Sequence, residues 1–367
     1  MKLVANLKLR PTPEQAKALH RTLKACNNAC NHVSGVAWQA KIFGQYALQK
    51  SSYYEVREQF GLTAQAAVQC IKKVADAYKV DKKTRRKFRP DSAQPYDDRI
   101  IRFVSDDVVS LWTIDGREKI AYVCGEHQRK LLAHRKGEVD LMFVRGSFYL
   151  ACVCDVDDPA LIETIDVLGI DLGIVNIATD SNGTNYSGQA VEAVRRRRHK
   201  RRRALQKVGT RSAKRALKDA SGKQARFQKH TNHCISKTLV ADAKRTASAI
   251  ALEDLEGIRE RVTVKKRQRA RLSNWGFHQL RSFVSYKAAL SGIPVFLVDP
   301  RNTSKTCSMC GNIDRKNRPT RDRFACILCA FAAEADYNAA CNIRQRGLHA
   351  RGITRNGSPG GDGVPVR

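Results

Sequence analysis

The chain has 367 residues, enough for two or three domains with separate hydrophobic cores. It carries 67 Lys and Arg against 35 Asp and Glu, a formal net charge of +32, which favours a polyanionic partner and above all nucleic acid. A basic membrane-binding protein is the rival class, but no apolar run approaches the roughly 18 residues that a membrane span needs.

The N-terminal segment predicts one strand followed by three helices. Residues 1–10 alternate apolar and polar side chains, with too little apolar length for a signal peptide. Thr12, Pro13 and Gln15 then form a helix-start signal of cap, N1 proline and capping-box residue. Apolar residues recur at three-four spacing as far as Ala37, and further helical patterns cover residues 51–60 and 63–78.

A basic connector follows at residues 82–90. Its cations include Arg85, Arg86, Lys87 and Arg89, and Phe88 lies among them. The connector is either a plain solvated loop or a loop that contacts phosphates and offers an aromatic ring for base stacking, and both interpretations stay open.

From residue 99 to residue 156 the hydrophobic period changes to two. Residues 100–104, 108–114, 120–123, 138–144 and 148–156 predict short antiparallel strands. Together with the first strand they predict a small β-barrel (1–12 and 91–160), into which the helices of residues 13–90 are inserted. This half supplies no catalytic constellation, so its predicted role is recognition.

Residues 166–180 predict a buried strand, a glycine-containing turn and a second strand. Asp171 lies in a run that is otherwise apolar. Burying a carboxylate costs several kcal/mol unless a cation or hydrogen bonds compensate it. Asp171 is therefore a candidate metal ligand; the alternative is a structural Asp that caps the turn.

Between residues 191 and 230 the composition becomes strongly basic, with sixteen Lys and Arg against Glu192 and Asp219. Such a run is often a solvated face or a localisation signal. Within a presumed catalytic domain we favour a helix that lies along a nucleic-acid duplex. The candidate contacts at its head are Arg195, Arg196, Arg197, Arg198, Lys200, Arg201, Arg202 and Arg203.

The next elements are an apolar strand at residues 247–252 that leads into Glu253, a helix at 277–290 and a strand at 294–298. Asp254 and Asp299 are interpreted as turn or helix-cap residues rather than metal ligands. Asp336 begins a predicted helix that ends near Arg344, and the Gly- and Pro-rich tail at 347–367 is predicted to be disordered.

Two C-x-x-C pairs lie between the last strand and Asp336. Cys307 and Cys310 are separated by 15 residues from Cys326 and Cys329, the spacing of a four-thiolate structural zinc site. The other eight cysteines are scattered through apolar patterns, as buried reduced thiols of a cytosolic protein are.

Asp171, Glu253 and Asp336 are far apart in sequence, yet each lies at the edge of a predicted element. Such carboxylates suit a phosphodiester hydrolase with two Mg²⁺ ions about 4 Å apart. Magnesium prefers hard oxygen ligands, which would explain carboxylates here and thiolates only at the zinc.

Four sequence blocks resemble those of the transposon-encoded TnpB proteins, relatives of the type V CRISPR effectors. They are residues 169–173 (GIDLG), 252–255 (LEDL), 304–311 (SKTCSMCG) and 336–343 (DYNAACNI). The strand order also resembles the RNase H-like fold of RuvC-type nucleases. No His occurs in residues 330–335, where many members of the family have one.

The resemblance implies an α+β multidomain protein whose RuvC-like nuclease domain (161–303 and 332–346) contains an inserted zinc ribbon (304–331). Asp171, Glu253 and Asp336 become the catalytic triad with two Mg²⁺, and the four cysteines hold one Zn²⁺. The implied activity is RNA-guided DNA cleavage beside a short adjacent motif, with a guide RNA from the transposon end, a double-stranded DNA target, one protein per RNA and a prokaryotic cytosolic location.

Two other functional classes remain open. One is a nuclease-inactive, RNA-guided DNA-binding repressor, although all three acidic residues are present. The other is an accessory transposase acting in DNA recombination, although no tyrosine or serine recombinase constellation is evident.

Overall fold

The computed structural model describes residues Met1–Leu255 and Gly276–Gly352. The chain divides into two compact units, Met1–Asp157 and a second unit that starts at Asp158. This boundary lies close to the predicted end of the barrel at residue 160.

The first unit contains a seven-stranded antiparallel sheet in the order β2-β6-β7-β1-β5-β4-β3. Its strands are β1 (Lys2–Arg10), β2 (Gln94–Tyr96), β3 (Ile101–Phe103), β4 (Val108–Thr113), β5 (Gly116–Val123), β6 (Arg135–Val144) and β7 (Ser147–Asp155). The five strands predicted after residue 99 are present, and the short β2 was not predicted.

The two edge strands show that this sheet is curled. In a flat sheet β2 and β3 would lie roughly 29 Å apart, six strand spacings of about 4.8 Å. The chain between Tyr96 and Ile101 spans at most about 18 Å. The sheet must therefore bend into a barrel-like form, and the Tyr96 hydroxyl donates across it to the carbonyl of Trp112 on β4 at 3.0 Å.

Three helices enter between β1 and β2, as predicted: α1 (Pro13–Ala40), α2 (Gln45–Phe60) and α3 (Ala64–Val80). The capping box at Thr12 and Gln15 is formed. The helix α2 begins six residues earlier than predicted, because Gly44 starts it without a side-chain cap that the sequence could show. Cys26, Cys30 and Cys70 are buried in the core of these helices, which supports a packing role. A short helix, α4 (Glu126–Leu132), was not predicted.

The second unit contains a five-stranded sheet in the order β10-β9-β8-β11-β12. Its strands are β8 (Asp166–Asp171), β9 (Asn176–Asp180), β10 (Asn185–Ser187), β11 (Ser248–Glu253) and β12 (Val295–Val298). The strands β8, β11 and β12 are parallel to one another, and β9 runs antiparallel to both of its neighbours, β8 and β10. A two-stranded ladder joins β13 (Arg323–Ala325) to β14 (Ala332–Glu334).

Helices α6 (Arg211–Arg245) and α7 (Phe277–Leu290) pack on one face of this sheet and α8 (Ala335–Ala350) packs on the other, whereas α5 (Gln189–Val208) packs against α6. Side chains alternate between the faces along β11. Ile250 and Leu252 pack in the cluster with α6 and α7, and Ala249 and Ala251 pack in the cluster with α8. Glu253 shares the parity of the alanines, so it projects to the α8 face.

Two glycines let α8 approach the sheet. A Cβ at Gly169 on β8 would overlap the backbone of α8 at the Ala340 carbonyl and the Arg344 amide. A Cβ at Gly347 would lie 2.6 Å from the Cβ of Ala251 on β11. The Arg344 guanidinium also donates to both carboxylate oxygens of Asp166, at 2.8 Å and 2.7 Å. The backbone of α8 is thereby held directly against β8.

This packing corrects one prediction. Residues 347–350 belong to the tail that its Gly- and Pro-rich composition predicts to be disordered, but α8 continues to Ala350. Gly347 packs closely against the sheet, and this tertiary packing outweighs its low helix propensity. The predicted disorder of residues 353–367 lies outside the described residues.

We expect Gly169→Ala to lower the free energy of unfolding by about 1–3 kcal/mol, because the new methyl group would push α8 away from β8. Urea unfolding monitored by circular dichroism measures the change. Gly44→Ser is the control, since it adds a side chain in open space at a helix start where Ser is favoured. Equal stability of Gly169→Ala and the wild type would contradict the close-packing account.

Candidate active site and metal centre

The three predicted carboxylates are brought together at one end of the five-stranded sheet. Asp171 is the last residue of β8, and Glu253 is the last residue of β11, its parallel neighbour. Both have the parity of side chains that face α8. Asp336 lies in the first turn of α8, which crosses β8 at Gly169. Three separate elements thus deliver three acids to one location.

The electrostatics of Asp171 show how close these acids are. Burial, and after it the negative charges of Glu253 and Asp336, raise the pKa of its carboxyl to about 8. Arg318 acts in the opposite direction. Burial also raises the pKa of Glu253. Asp171 and Glu253, whose pKa values are raised, lie near a third acid, Asp336, so this group is short of positive charge and fits a divalent cation with oxygen ligands.

Each of the other two acids has its own hydrogen-bond partner. The Asn176 side-chain amide at the start of β9 donates to Asp336 Oδ2 at 3.0 Å. The hydroxyl of Thr303, which is almost fully buried, donates to Glu253 Oε1 at 2.5 Å. These bonds orient the carboxylates before any ligand binds.

Three residues of the site were missed by the sequence analysis: Asn176, Thr303 and Arg318. Arg318 Nη2 lies 3.9 Å from Asp336 Oδ1, although Arg318 lies between the two cysteine pairs. Each of these residues is far in sequence from the acid that it contacts. No local periodicity could have revealed them, and only the position of Thr303 just before the predicted zinc motif was suggestive.

The four predicted cysteines form a single cluster. One sulfur from each of Cys307, Cys310, Cys326 and Cys329 lies within 4.8 Å of all the others. The Sγ atoms of Cys307 and Cys329 are 3.6 Å apart, as are those of Cys310 and Cys326. Tetrahedral zinc with Zn–S bonds near 2.3 Å places sulfurs about 3.8 Å apart, so the cluster is compatible with zinc.

The backbone around Cys326 also suits a thiolate. The N–H groups of Cys329 and Leu328 point at Cys326 Sγ, at 3.5 Å and 3.4 Å. They lower the pKa of the Cys326 thiol to about 6, with the Cys329 N–H as the largest cause. A sulfur that accepts two backbone N–H groups is stabilised as the metal-binding anion.

The basic head of α5 contains cations of two kinds. Arg195 forms two hydrogen bonds of 2.7 Å with Glu192, and Arg198 donates to the carbonyl of Ala220 on α6 at 3.1 Å. Arg195 is therefore engaged within α5, and Arg198 links α5 to α6. The remaining candidate cations are exposed to solvent, namely Arg196, Arg197, Lys200, Arg201, Arg202 and Arg203.

The connector at residues 82–90 is divided in the same way. Arg86 pairs with Asp81 at 2.6 Å. Phe88 packs against the helical core, and its backbone N–H donates to the side chain of Asn31 at 2.8 Å. The aromatic ring is therefore a core residue rather than a free stacking platform. Arg85, Lys87 and Arg89 remain exposed.

Asp254 and Asp299 lie beside the carboxylate group without joining it. Asp254 Oδ1 accepts from Arg281 on α7 at 2.8 Å. Asp299 accepts from the backbone N–H of Arg301 at 2.9 Å, which confirms its assignment as a turn residue. Neither Met1–Leu255 nor Gly276–Gly352 contains a helix long and apolar enough to cross a membrane.

Comparison with known protein families gives two matches, which lie between residues 151 and 343. The family described as "Probable transposase" (OrfB_IS605) matches residues 151–256, which include Asp171 and Glu253. The family described as "Cas12f1-like, TNB domain" matches residues 277–343, which include the four cysteines and Asp336.

Curated relatives point to the same group. The chain is 34% identical over 217 residues to the CRISPR-associated endodeoxyribonuclease Cas12f1 of Sulfoacidibacillus thermotolerans, covering 54% of this chain and 50% of the relative. It is 37% identical over 125 residues to a TnpB-like protein of Methanocaldococcus jannaschii, covering 34% of this chain and 44% of the relative. The chain thus matches half or less of the length of these relatives.

A solved structure shares the fold. The cryo-EM structure of a Cas12f1–sgRNA–target DNA complex aligns over 91% of this chain and 83% of that chain, with a TM-score of 0.61 and 16% identity. The chain therefore shares its fold with that Cas12f1 structure, and it is similar in sequence to Cas12f endodeoxyribonucleases over about half its length. More narrowly, the resemblance to the TnpB family predicted from the motif blocks is confirmed.

We expect Cys310→Ser to abolish stoichiometric zinc binding and to lower thermal stability, because a structural zinc ion contributes folding free energy. Elemental mass spectrometry and a thermal melt of the purified protein measure both effects. Cys234→Ser, which changes an exposed thiol on α6, is the matched control. Undiminished zinc content in Cys310→Ser would refute the assignment.

The raised pKa of Asp171 predicts a pH dependence of the metal-free protein. Between about pH 4 and pH 8 the unfolded state ionises this group and the folded state keeps it protonated, so its contribution to stability falls as pH rises. At pH 9 without metal, Asp171→Asn should therefore have a higher melting temperature and a higher free energy of unfolding than the wild type. The difference in free energy should be a few kcal/mol at most, since one pKa unit corresponds to about 1.4 kcal/mol.

Melting temperatures at pH 6 and pH 9, with and without Mg²⁺, measure this effect. Mg²⁺ should stabilise the wild type more at pH 9 than at pH 6, because the ion binds the ionised carboxylate. The exposed Asp219→Asn is the control. A wild-type melt that ignores Mg²⁺ at both pH values would contradict the prediction.

Proposed function

We propose that this protein is an RNA-guided DNA endonuclease encoded by a transposon. In this proposal the second unit is an RNase H-like, RuvC-type nuclease domain with an inserted zinc ribbon, and the first unit is a barrel with a helical insertion that recognises the nucleic-acid partners. The curated relatives are named as endodeoxyribonucleases, which supports the reaction class.

The observation that carries the proposal is the convergence of Asp171, Glu253 and Asp336. A purely structural acid would be paired with a cation or fully exposed, but Asp171 is half-buried, and its largest electrostatic partners are two further acids. Such an arrangement lowers stability unless cations are present. It is expected of a site that recruits them for catalysis.

The residues of the site have separate roles in this proposal. Asp171, Glu253 and Asp336 would hold Mg²⁺, which when bound supplies the Lewis acidity that phosphodiester hydrolysis requires. Asn176 and Thr303 orient two of the carboxylates through the hydrogen bonds already described. Arg318 lies close enough to Asp336 to offer positive charge to an incoming phosphate.

The distribution of exposed cations supports a nucleic-acid partner. No residue of α5 is buried, and although Arg196 pairs with Glu192, the charges of Arg197, Arg201, Arg202 and Arg203 face solvent and are available to phosphates. Arg85, Lys87 and Arg89 are the corresponding candidates in the first unit. The related Cas12f1 structure contains a single guide RNA and target DNA, and we infer the same classes of partner here, in the prokaryotic cytosol.

The decisive experiment uses the protein with the RNA that co-purifies with it. Sequencing that RNA should identify a constant segment and a variable end, and a plasmid that matches the variable end should be cut in the presence of Mg²⁺. We expect Asp171→Ala to reduce cleavage to background while target binding changes less than about threefold, because a metal ligand and not a phosphate contact is lost.

Gel electrophoresis of the plasmid and a filter-binding assay separate the possible outcomes. Target binding by the wild type without cleavage would indicate an RNA-guided repressor instead. Joined DNA ends would indicate a transposase. Cleavage that persists in Asp171→Ala would refute the assignment of the site, and Asp219→Asn controls for the loss of an acidic group elsewhere.

A further inference from the structure

One face of α8 grips the chain that follows β12. The side chains of Asn338, Asn342 and Arg346 are spaced four residues apart, so they lie in one row along the helix. All three bind backbone atoms of residues 299–308. Arg346 Nη2 donates to the Arg301 carbonyl at 2.7 Å, and its Nη1 donates to the Asp299 carbonyl.

The two asparagines hold the middle of this segment. The Asn342 amide donates to the carbonyls of Thr303 and Thr306, at 2.8 Å and 2.7 Å. The Asn338 amide donates to the Thr306 carbonyl at 2.8 Å, and its oxygen accepts from the Ser308 backbone N–H at 3.0 Å. Asn338 and Asn342 are almost fully buried, so each bond would be costly to lose.

This segment joins two functional groups that are four residues apart in the chain. At one end, the Thr303 hydroxyl donates to the Glu253 carboxylate. The Pro300 carbonyl, at 3.1 Å, is a second acceptor for the same hydroxyl. At the other end, Cys307 belongs to the four-cysteine cluster. The turn between them is closed by the N–H groups of Lys305 and Thr306, which both donate to the Asn302 carbonyl at 2.9 Å.

We propose that Thr303 is a positioning residue for Glu253, and that residues 303–308 couple the metal state of the cysteine cluster to the carboxylate site. The inference deepens the proposed nuclease function and rests on it. Zinc fixes Cys307, the asparagines transmit that position along the segment, and the Thr303 hydroxyl sets the orientation of the Glu253 carboxylate.

The first test measures Mn²⁺ binding to the purified protein by electron paramagnetic resonance, without any nucleic acid. We expect Thr303→Val to weaken the affinity for Mn²⁺ at least roughly tenfold, the usual effect of removing a partner that orients a metal ligand. Thr303→Ser, which keeps the hydroxyl, should restore affinity to within about threefold of the wild type. Thr238→Val, which removes an exposed hydroxyl on α6, is the matched control.

Zinc content and the melting temperature are measured on the same samples. If Thr303→Val fails to fold, Asn342→Ala, which releases the Thr303 carbonyl instead, takes its place with the same expected loss of affinity. Wild-type affinity for Mn²⁺ in a folded Thr303→Val or Asn342→Ala protein would overturn the positioning role.

The second test measures the coupling. Removing zinc from the wild type with a chelator, followed by repurification, should weaken Mn²⁺ binding about as much as Thr303→Val does, and added zinc should reverse the effect. In Thr303→Val, zinc removal should have little additional effect, because both changes break one path. Equal losses in the two backgrounds would show independent sites and overturn the coupling.

These outcomes are distinct from a failure of the proposed function. Cleavage of a matched plasmid tests the nuclease, whereas Mn²⁺ affinity tests the segment whether or not the protein cuts DNA. A protein that shows the predicted Mn²⁺ coupling without cutting would retain the inference about residues 303–308 and lose the nuclease assignment. Cleavage of the plasmid without coupling would support the nuclease assignment and overturn the inference about residues 303–308.

Discussion

The second unit depends on the direct approach of α8 to β8. Gly169 on β8 leaves room for the helix backbone, and Gly347 allows a second close contact nearer the C-terminus of α8. The Arg344–Asp166 ion pair also ties the helix to β8. A helix held at ordinary side-chain distance would place Asp336 farther from Asp171. The close contact is therefore what turns three separate acids into one site.

That contact brings negative charges together, and neighbouring protein groups compensate this repulsion only in part. Asn176, Thr303 and Arg318 each offset some of the negative charge, yet the pKa of Asp171 stays near 8. The fold thus tolerates an unfavourable arrangement in the absence of cations, and close packing of α8 supplies the stability to do so. Stability and metal affinity are opposed at this location, as they are at many functional sites.

The same helix links the carboxylates to the cysteine cluster. One row of its side chains binds residues 299–308, and the N-terminal turn presents Asp336. The ribbon in turn contributes Arg318. Under the proposed coupling, loss of zinc would change the positions of Thr303 and Arg318 relative to the acids, although the cysteines lie outside that site.

Much of this molecule followed from the sequence, because local patterns carry the information. The period of two along residues 100–156, the capping box at Thr12 and the C-x-x-C spacing depend on neighbours within a few positions, and each was found where it was predicted. The strand ends at Asp171 and Glu253 were also visible, since an acid within an apolar run is unusual at any position.

Tertiary structure alone decided the rest. The composition of residues 347–367 predicted a disordered tail, but Gly347 packs against the sheet and α8 continues to Ala350. Arg195 and Arg198 looked like phosphate contacts, but Glu192 and Ala220 engage them. Thr303, Asn176 and Arg318 gained their roles from acids that are 18 to 160 residues distant in the chain. Residue type and periodicity set the elements, whereas the partners of a polar side chain depend on which surfaces the packed elements bring together.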